Sequence, residues 1–122
     1  MDDNKRNKNF YLAADQIVKR IDSSEGCIAS DRITVDGCKV GFMYREDASD
    51  SKYPDSGWRF MAGDEDEEYM AKADYHGIYL VNTICNYDPD IIPFLNAPPG
   101  TAYIRDRSGV LVLDTEWEEP SE

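Results

Sequence analysis

The side chains that could do chemistry in this sequence are few in kind and crowded in place. His76 is the single histidine, and Cys27, Cys38 and Cys85 are odd in number, widely spaced and form no CxxC pair. That spacing does not build a structural zinc site, and nothing around Cys85 in Thr83-Ile84-Cys85-Asn86-Tyr87-Asp88-Pro89 resembles an activated-thiol motif. There is no glycine-rich phosphate loop, no GxSxG elbow and no HExxH pair. The cysteines therefore read as free, largely buried thiols of a reducing compartment.

Carboxylates are the abundant group. Asp plus Glu number 25 against 13 Lys plus Arg, a formal net charge of −12. The density peaks between Glu46 and Asp74, where ten acids face three bases. Asp64-Glu65-Asp66-Glu67-Glu68 places acids at positions one, three and five of a calcium loop. Tyr69 then occupies the position that requires glycine, and Tyr75 stands where a bidentate glutamate belongs, so the match fails. Two readings of the acidic stretch stay open: a solvated loop with a well-capped helix, or a surface for a basic partner. A field of this sign repels nucleic acid and anionic membrane, and no apolar run reaches the ~20 residues of a membrane-spanning helix. With no secretory signal visible at the N-terminus, a cytoplasmic location is expected.

Two aromatic segments flank these acids. In Ser56-Gly57-Trp58-Arg59-Phe60, strand alternation sends Trp58 and Phe60 to one face and Arg59 to the other. Trp58 and Phe60 are then core with Arg59 paired to a local acid, or Trp58 and Arg59 form an interaction hot spot. Asn86-Tyr87-Asp88-Pro89-Asp90 sets Tyr87 among acids and apolar anchors in the same ambiguous way.

The elements that must position these groups follow from periodicity. Residues 9–22 carry Phe10, Ala13, Ala14, Ile17, Val18 and Ile21 at helical spacing and predict an amphipathic helix capped by Asn9. Cys27–Ser30 and Ile33–Val35 read as strands, the second turned by Asp36-Gly37 into a hairpin with Lys39–Arg45. A polar loop from Glu46 to Gly57 precedes a strand from Trp58. Residues 64–73 predict a short helix with Asp64 as cap and Glu67 closing a capping box. Gly77–Asn82 reads as a strand, and Pro89–Leu95 as a helical turn capped by Asp88. Ala102–Arg105 and Val110–Leu113 form a last hairpin turned at Arg107-Ser108-Gly109, and residues 115–122 form an acidic, frayed tail. Together they predict a single α+β domain over residues 1–122. Its sheet is twisted and mainly antiparallel, with the N-terminal helix packed on it and short helices in the connections.

Across residues 26–106 the chain resembles the bacterial immunity-protein-33 family. The resemblance is carried by Tyr44-Arg45-Glu46, Asp55-Ser56-Gly57-Trp58-Arg59-Phe60, Gly63-Asp64-Glu65-Asp66, and Asn82-Thr83-Ile84 through Asp88-Pro89-Asp90. It departs from the family pattern at Tyr53-Pro54 and Ala71–Tyr75, which bears on partner identity. The resemblance implies an α+β fold and a role in polymorphic toxin systems: binding and neutralising a cognate toxin domain, without catalysis or cofactor. A basic toxin would suit the acidic surface, which speeds association and mimics nucleic acid. On this reading the partner-binding residues are Trp58, Arg59, Asp64, Asp66, Glu67, Tyr87, Asp88 and Asp90. The competing readings are a metal-assisted hydrolase built on the same acids, and a small-molecule-binding housekeeping domain.

Overall fold

The computed structural model describes residues 8–48 and 54–118. Among the described residues six strands form one sheet in the order β4-β1-β3-β2-β5-β6: β1 (Gly26–Ser30), β2 (Phe42–Arg45), β3 (Asp55–Met61), β4 (His76–Leu80), β5 (Ala102–Arg105) and β6 (Leu111–Leu113). β1 and β3 run parallel, and every other neighbouring pair is antiparallel. Three short helices, α1 (Asp31–Thr34), α2 (Glu67–Ala71) and α3 (Val81–Tyr87), lie in the connections, with a 3-10 turn at Pro89–Phe94. The α+β class, the mainly antiparallel sheet, the Pro89 turn capped by Asp88 and the final hairpin agree with the sequence reading. Among the described residues no helix is long and apolar enough to cross a membrane.

Strand alternation separates two faces. Ala29, Phe60, Met43 and Tyr103 stand in register across β1, β3, β2 and β5. With Cys27 and Trp58 they pack against Ile33 of α1, Val81, Ile84 and Cys85 of α3, and Ile91. Burying these apolar side chains removes them from water at roughly 25 cal/mol per Å². The next row, Met61, Phe42, Ile104 and Val112, points the opposite way.

A bulge sets the pitch of β3. Gly26 faces Asp55 while Ile28 faces Arg59, so β3 carries two extra residues there. Gly57 absorbs them at φ +88, and a Cβ at that position would run into the Glu46 carbonyl. Ser56 Oγ closes the bulge by donating to Gly26 O at 2.6 Å and accepting from Trp58 N at 3.1 Å.

The N-terminal segment corrects the expected helix. Apart from one 3-10 turn at Ala14–Gln16, residues 8–22 are irregular, with extended backbone at Ala13 and Ile17. The physical reason lies in α3. Asn82 and Asn86, one helical turn apart, act as a polar ladder for the strap's backbone. Val18 N and Arg20 N donate to their side-chain oxygens at 3.0 and 2.6 Å, and both amides donate to Val18 O. Satisfied from outside, the strap need not form a helix whose isolated stability is marginal at this length.

Several further expectations change. Ile33–Val35 is not a strand and Asp36-Gly37 makes no hairpin: Ser30 Oγ caps α1 by accepting from Arg32 N, and Gly37, at φ +79, terminates that helix. α2 is capped by Asp66, whose carboxylate accepts from Tyr69 N at 2.8 Å, because Asp64 is held by Arg32. The strand at Gly77 stops at Leu80 and Val81 begins α3. The loop after Glu46 yields Asp55–Gly57 to β3, and its residues 49–53 lie outside the described residues. In the tail, Trp117 packs on Tyr44 with ring centroids 5.2 Å apart, while residues 119–122 lie outside the described residues.

Candidate partner-binding face

The proposed partner-binding residues fall into three environments. Trp58 is 1% exposed, stacks on Phe60 at 6.0 Å and donates its indole N–H to Leu95 O at 3.1 Å. A side chain so enclosed cannot anchor a partner, and the hot-spot expectation for Trp58 is corrected to core packing. Arg59 points to the other face as alternation requires. It donates through Nε to Glu46 at 2.7 Å and through Nη1 and Nη2 to both oxygens of Asp55 at 3.0 and 2.9 Å. Burial works against its charge, but the hydrogen bonds and charges of Asp55 and Glu46 outweigh burial and keep the guanidinium ionised. Arg59 is thereby a buried clamp between β3 and the end of β2, not a free surface cation.

Asp88 is likewise enclosed, at 1% exposure. One carboxylate oxygen accepts from Val40 N at 2.9 Å and from Arg105 Nη2 at 2.7 Å, and the other accepts from Asp90 N at 3.1 Å. Arg105 in turn donates to Val40 O and Gly109 O. The Asp88–Arg105 pair therefore ties the turn after α3 to β5 and the final hairpin. The expectation that Asp88 faces a partner is corrected: its lone pairs are spent inside. Tyr87 is half-buried on the strap side, where its hydroxyl accepts from Leu12 N at 3.2 Å. Burial raises its phenol, with the Leu12 hydrogen bond opposing.

Asp64, Asp66, Glu67 and Asp90 are exposed. Asp90 pairs with Arg105 at 3.2 Å. Asp64 takes a two-point hydrogen bond from Arg32, Nε at 3.1 Å and Nη2 at 2.6 Å, which holds its carboxyl below the usual range. Glu65 accepts from Ala62 N and Gly63 N at 2.8 and 2.9 Å. With Asp66 spent on the cap of α2, Asp64, Glu65 and Asp66 are tied to local backbone and to Arg32. Among the described residues no three His, Cys, Asp or Glu side chains converge to hold a metal ion.

Beside these acids lies a feature that sequence reasoning missed. Phe42 stands opposite both Met61 and Ile104 on the face away from the core, and Tyr44 follows two residues on. Together with Met70 of α2 they line an open groove of about 680 Å³, bordered by Asp64, Glu65, Arg105 and Asp106. Met70 and Ile104 are 42% and 43% exposed. Gly41 lets the backbones close at the groove's end, since a Cβ there would strike the Ala62 carbonyl. The border keeps its charge, for Asp106 is held below the usual carboxylate range by the Ser108 hydroxyl and the Val110 amide. Burial, and then the charge of Glu46, pushes the Tyr44 phenol up, so it presents a neutral ring. A legible signal existed: Phe42-Met43-Tyr44 and Tyr103-Ile104 are apolar on both strand faces, more than short helices on one side can cover.

The arrangement offers an apolar, acid-bordered contact surface. No curated protein and no solved structure matches the chain significantly. A family model, the immunity protein Imm33 domain, matches residues 27–114, from β1 through the end of β6. That span contains all of the sheet but Gly26, the groove and the Arg59 and Arg105 ion-pair clamps, and the chain belongs to the Imm33 immunity protein domain family.

Proposed function

We propose that this protein neutralises the toxin domain of a bacterial polymorphic toxin system by forming a stoichiometric protein–protein complex in the cytoplasm, without catalysis or cofactor. Membership of an immunity protein family suggests toxin neutralisation in general. The observation that carries the binding mechanism is the apolar groove bordered by carboxylates on the sheet face away from the core. Part-exposed Met70 and Ile104 give the groove an apolar lining that a partner side chain can meet, and an acidic border favours a basic partner. The hydrolase reading requires acids that converge on a reacting atom. Here Glu65 and Asp66 are committed to backbone amides and Asp64 to Arg32. The proposal is tested by expressing any toxin domain found in a neighbouring gene, with and without the protein. Growth restored only by the co-expressed protein, together with a 1:1 complex on size-exclusion chromatography with light scattering, supports it. Growth arrest in the presence of soluble, folded protein contradicts it.

A further inference from the structure

We infer that the groove of Phe42, Tyr44, Met61, Met70 and Ile104 takes an apolar side chain of the toxin flanked by lysine or arginine, and that Trp117 shifts when it docks. The inference rests on the toxin-binding reading for the identity of its partner. Three observations place it. First, the groove floor is a cross-strand row in which Phe42 faces Met61 on one side and Ile104 on the other, giving a flat apolar bed. Second, acids bracket that bed. Asp64 through Glu68 run unbroken by any base into α2, which presents Met70, and Asp106 lines the opposite side; Asp114, Glu116 and Glu118 flank in sequence the Trp117 that stacks on Tyr44. Third, the part-buried cation of the bed is already engaged, Arg105 being held by Asp88 and Asp90, while exposed Lys39 is a single base against the acids of the border.

An apolar centre inside an anionic border complements an apolar anchor inside a cationic one, the arrangement in which buried anchors supply affinity and the rim supplies rate and register. A second copy of this chain is the poorer occupant, because two copies of net charge −12 would bring like borders together. Trp117 rests on Tyr44, which itself lines the groove, so a side chain that docks against Tyr44 contacts one member of that pair. The other tryptophan, Trp58, is enclosed and serves as an internal constant.

The probe is any toxin domain found in a gene neighbouring that of this chain, prepared as an inactive variant and titrated by calorimetry and tryptophan fluorescence. Met70→Lys and Ile104→Lys place a cation in the groove at side chains already part-exposed, so folding is retained and checked by melting. Each should weaken the complex by about tenfold or more. Ile78→Lys, on β4 at 63% exposure and outside the groove, should change it by less than about twofold. Wild-type fluorescence should change on binding, and Trp117→Phe should abolish that change. Equal affinity of wild type, Met70→Lys and Ile104→Lys overturns the assignment. So does a wild-type homodimer in sedimentation that Ile104→Lys dissolves. Should the toxin domain not bind wild type at all, the toxin reading falls, and a random 12-residue peptide library decides the groove by itself. Enrichment of an apolar residue flanked by Lys or Arg, lost with Ile104→Lys, upholds the groove; its absence overturns it.

Discussion

Asp88 shows at the level of a single side chain how an acid can be indispensable without meeting a partner. Its carboxylate neutralises Arg105 and accepts from the Val40 and Asp90 amides, all in an enclosed setting. Removing one member of such a pair leaves the other charge buried, so Asp88→Ala should cost about 3–5 kcal/mol in chemical denaturation. Exposed Asp90 should tolerate alanine within about 0.5 kcal/mol. Trp58→Ala should likewise cost about 3–5 kcal/mol, and any binding defect should track its melting curve. The thiols make a further residue-scale prediction. Burial raises Cys27, and raises Cys85 from 9.0 to about 11. A folded-state value above the unfolded one means the unfolded chain loses its protons first. The contribution to stability is then complete below about pH 8.5 and falls as pH climbs toward 11. The phenols of Tyr44, Tyr79 and Tyr87, raised by burial, add in the same direction. Melting temperature should therefore be flat around neutrality and fall above about pH 9, less steeply in Cys27→Ala/Cys85→Ala. A flat profile to pH 11 would show that these groups titrate alike in both states.

At the scale of elements, the N-terminal strap and α3 form one unit. Asn82→Ala together with Asn86→Ala removes the partners of the Val18, Arg20 and Ile21 backbone. The double variant should free the strap to limited proteolysis around residues 14–20 while the sheet stays intact, read as a shortened but folded product. A protein fully degraded under those conditions would make the strap part of the global fold. The same contacts explain what could be read from sequence and what could not. The strands expected at Cys27–Ser30, Lys39–Arg45 and Ala102–Arg105 appear at Gly26–Ser30, Phe42–Arg45 and Ala102–Arg105, because β-rich runs and period-two alternation are local properties, though Lys39–Gly41 stay outside β2. Residues 8–22 carry helical spacing equally clearly, yet their partners lie more than sixty residues away in α3. Asp36-Gly37 misled for a local reason, since Ser30 and Asp31 start a helix whose end needs the same left-handed glycine that a hairpin does. Of the candidate site, the acids from Asp64 to Glu67 were legible as a charged surface. The groove beside them left only a partial signal, the two-faced apolarity of Phe42-Met43-Tyr44 and Tyr103-Ile104, because its assembly depends on the pairing of β2 with β3 and β5.

For the molecule as a whole, net charge of −12 makes association with a basic toxin a steered encounter. Its on-rate should fall by about tenfold or more between low and physiological salt while the off-rate changes little, as stopped-flow mixing would show. Reversing Asp64, Asp66 and Glu67 to lysine should remove most of that salt dependence, whereas Ile104→Lys should act chiefly on dissociation. Asp64 also carries the pair with Arg32, so Asp64→Lys is checked by melting alongside. The central claim is neutralisation by one-to-one occupancy of the groove, and its most direct measurement is a titration of toxin activity with this protein. The account predicts a linear loss of activity that ends at one equivalent, immediate on mixing, and displaced to about tenfold higher concentration by Ile104→Lys. Inactivation that proceeds with time at a small fraction of an equivalent, or a titration that Ile104→Lys leaves unmoved, would contradict it.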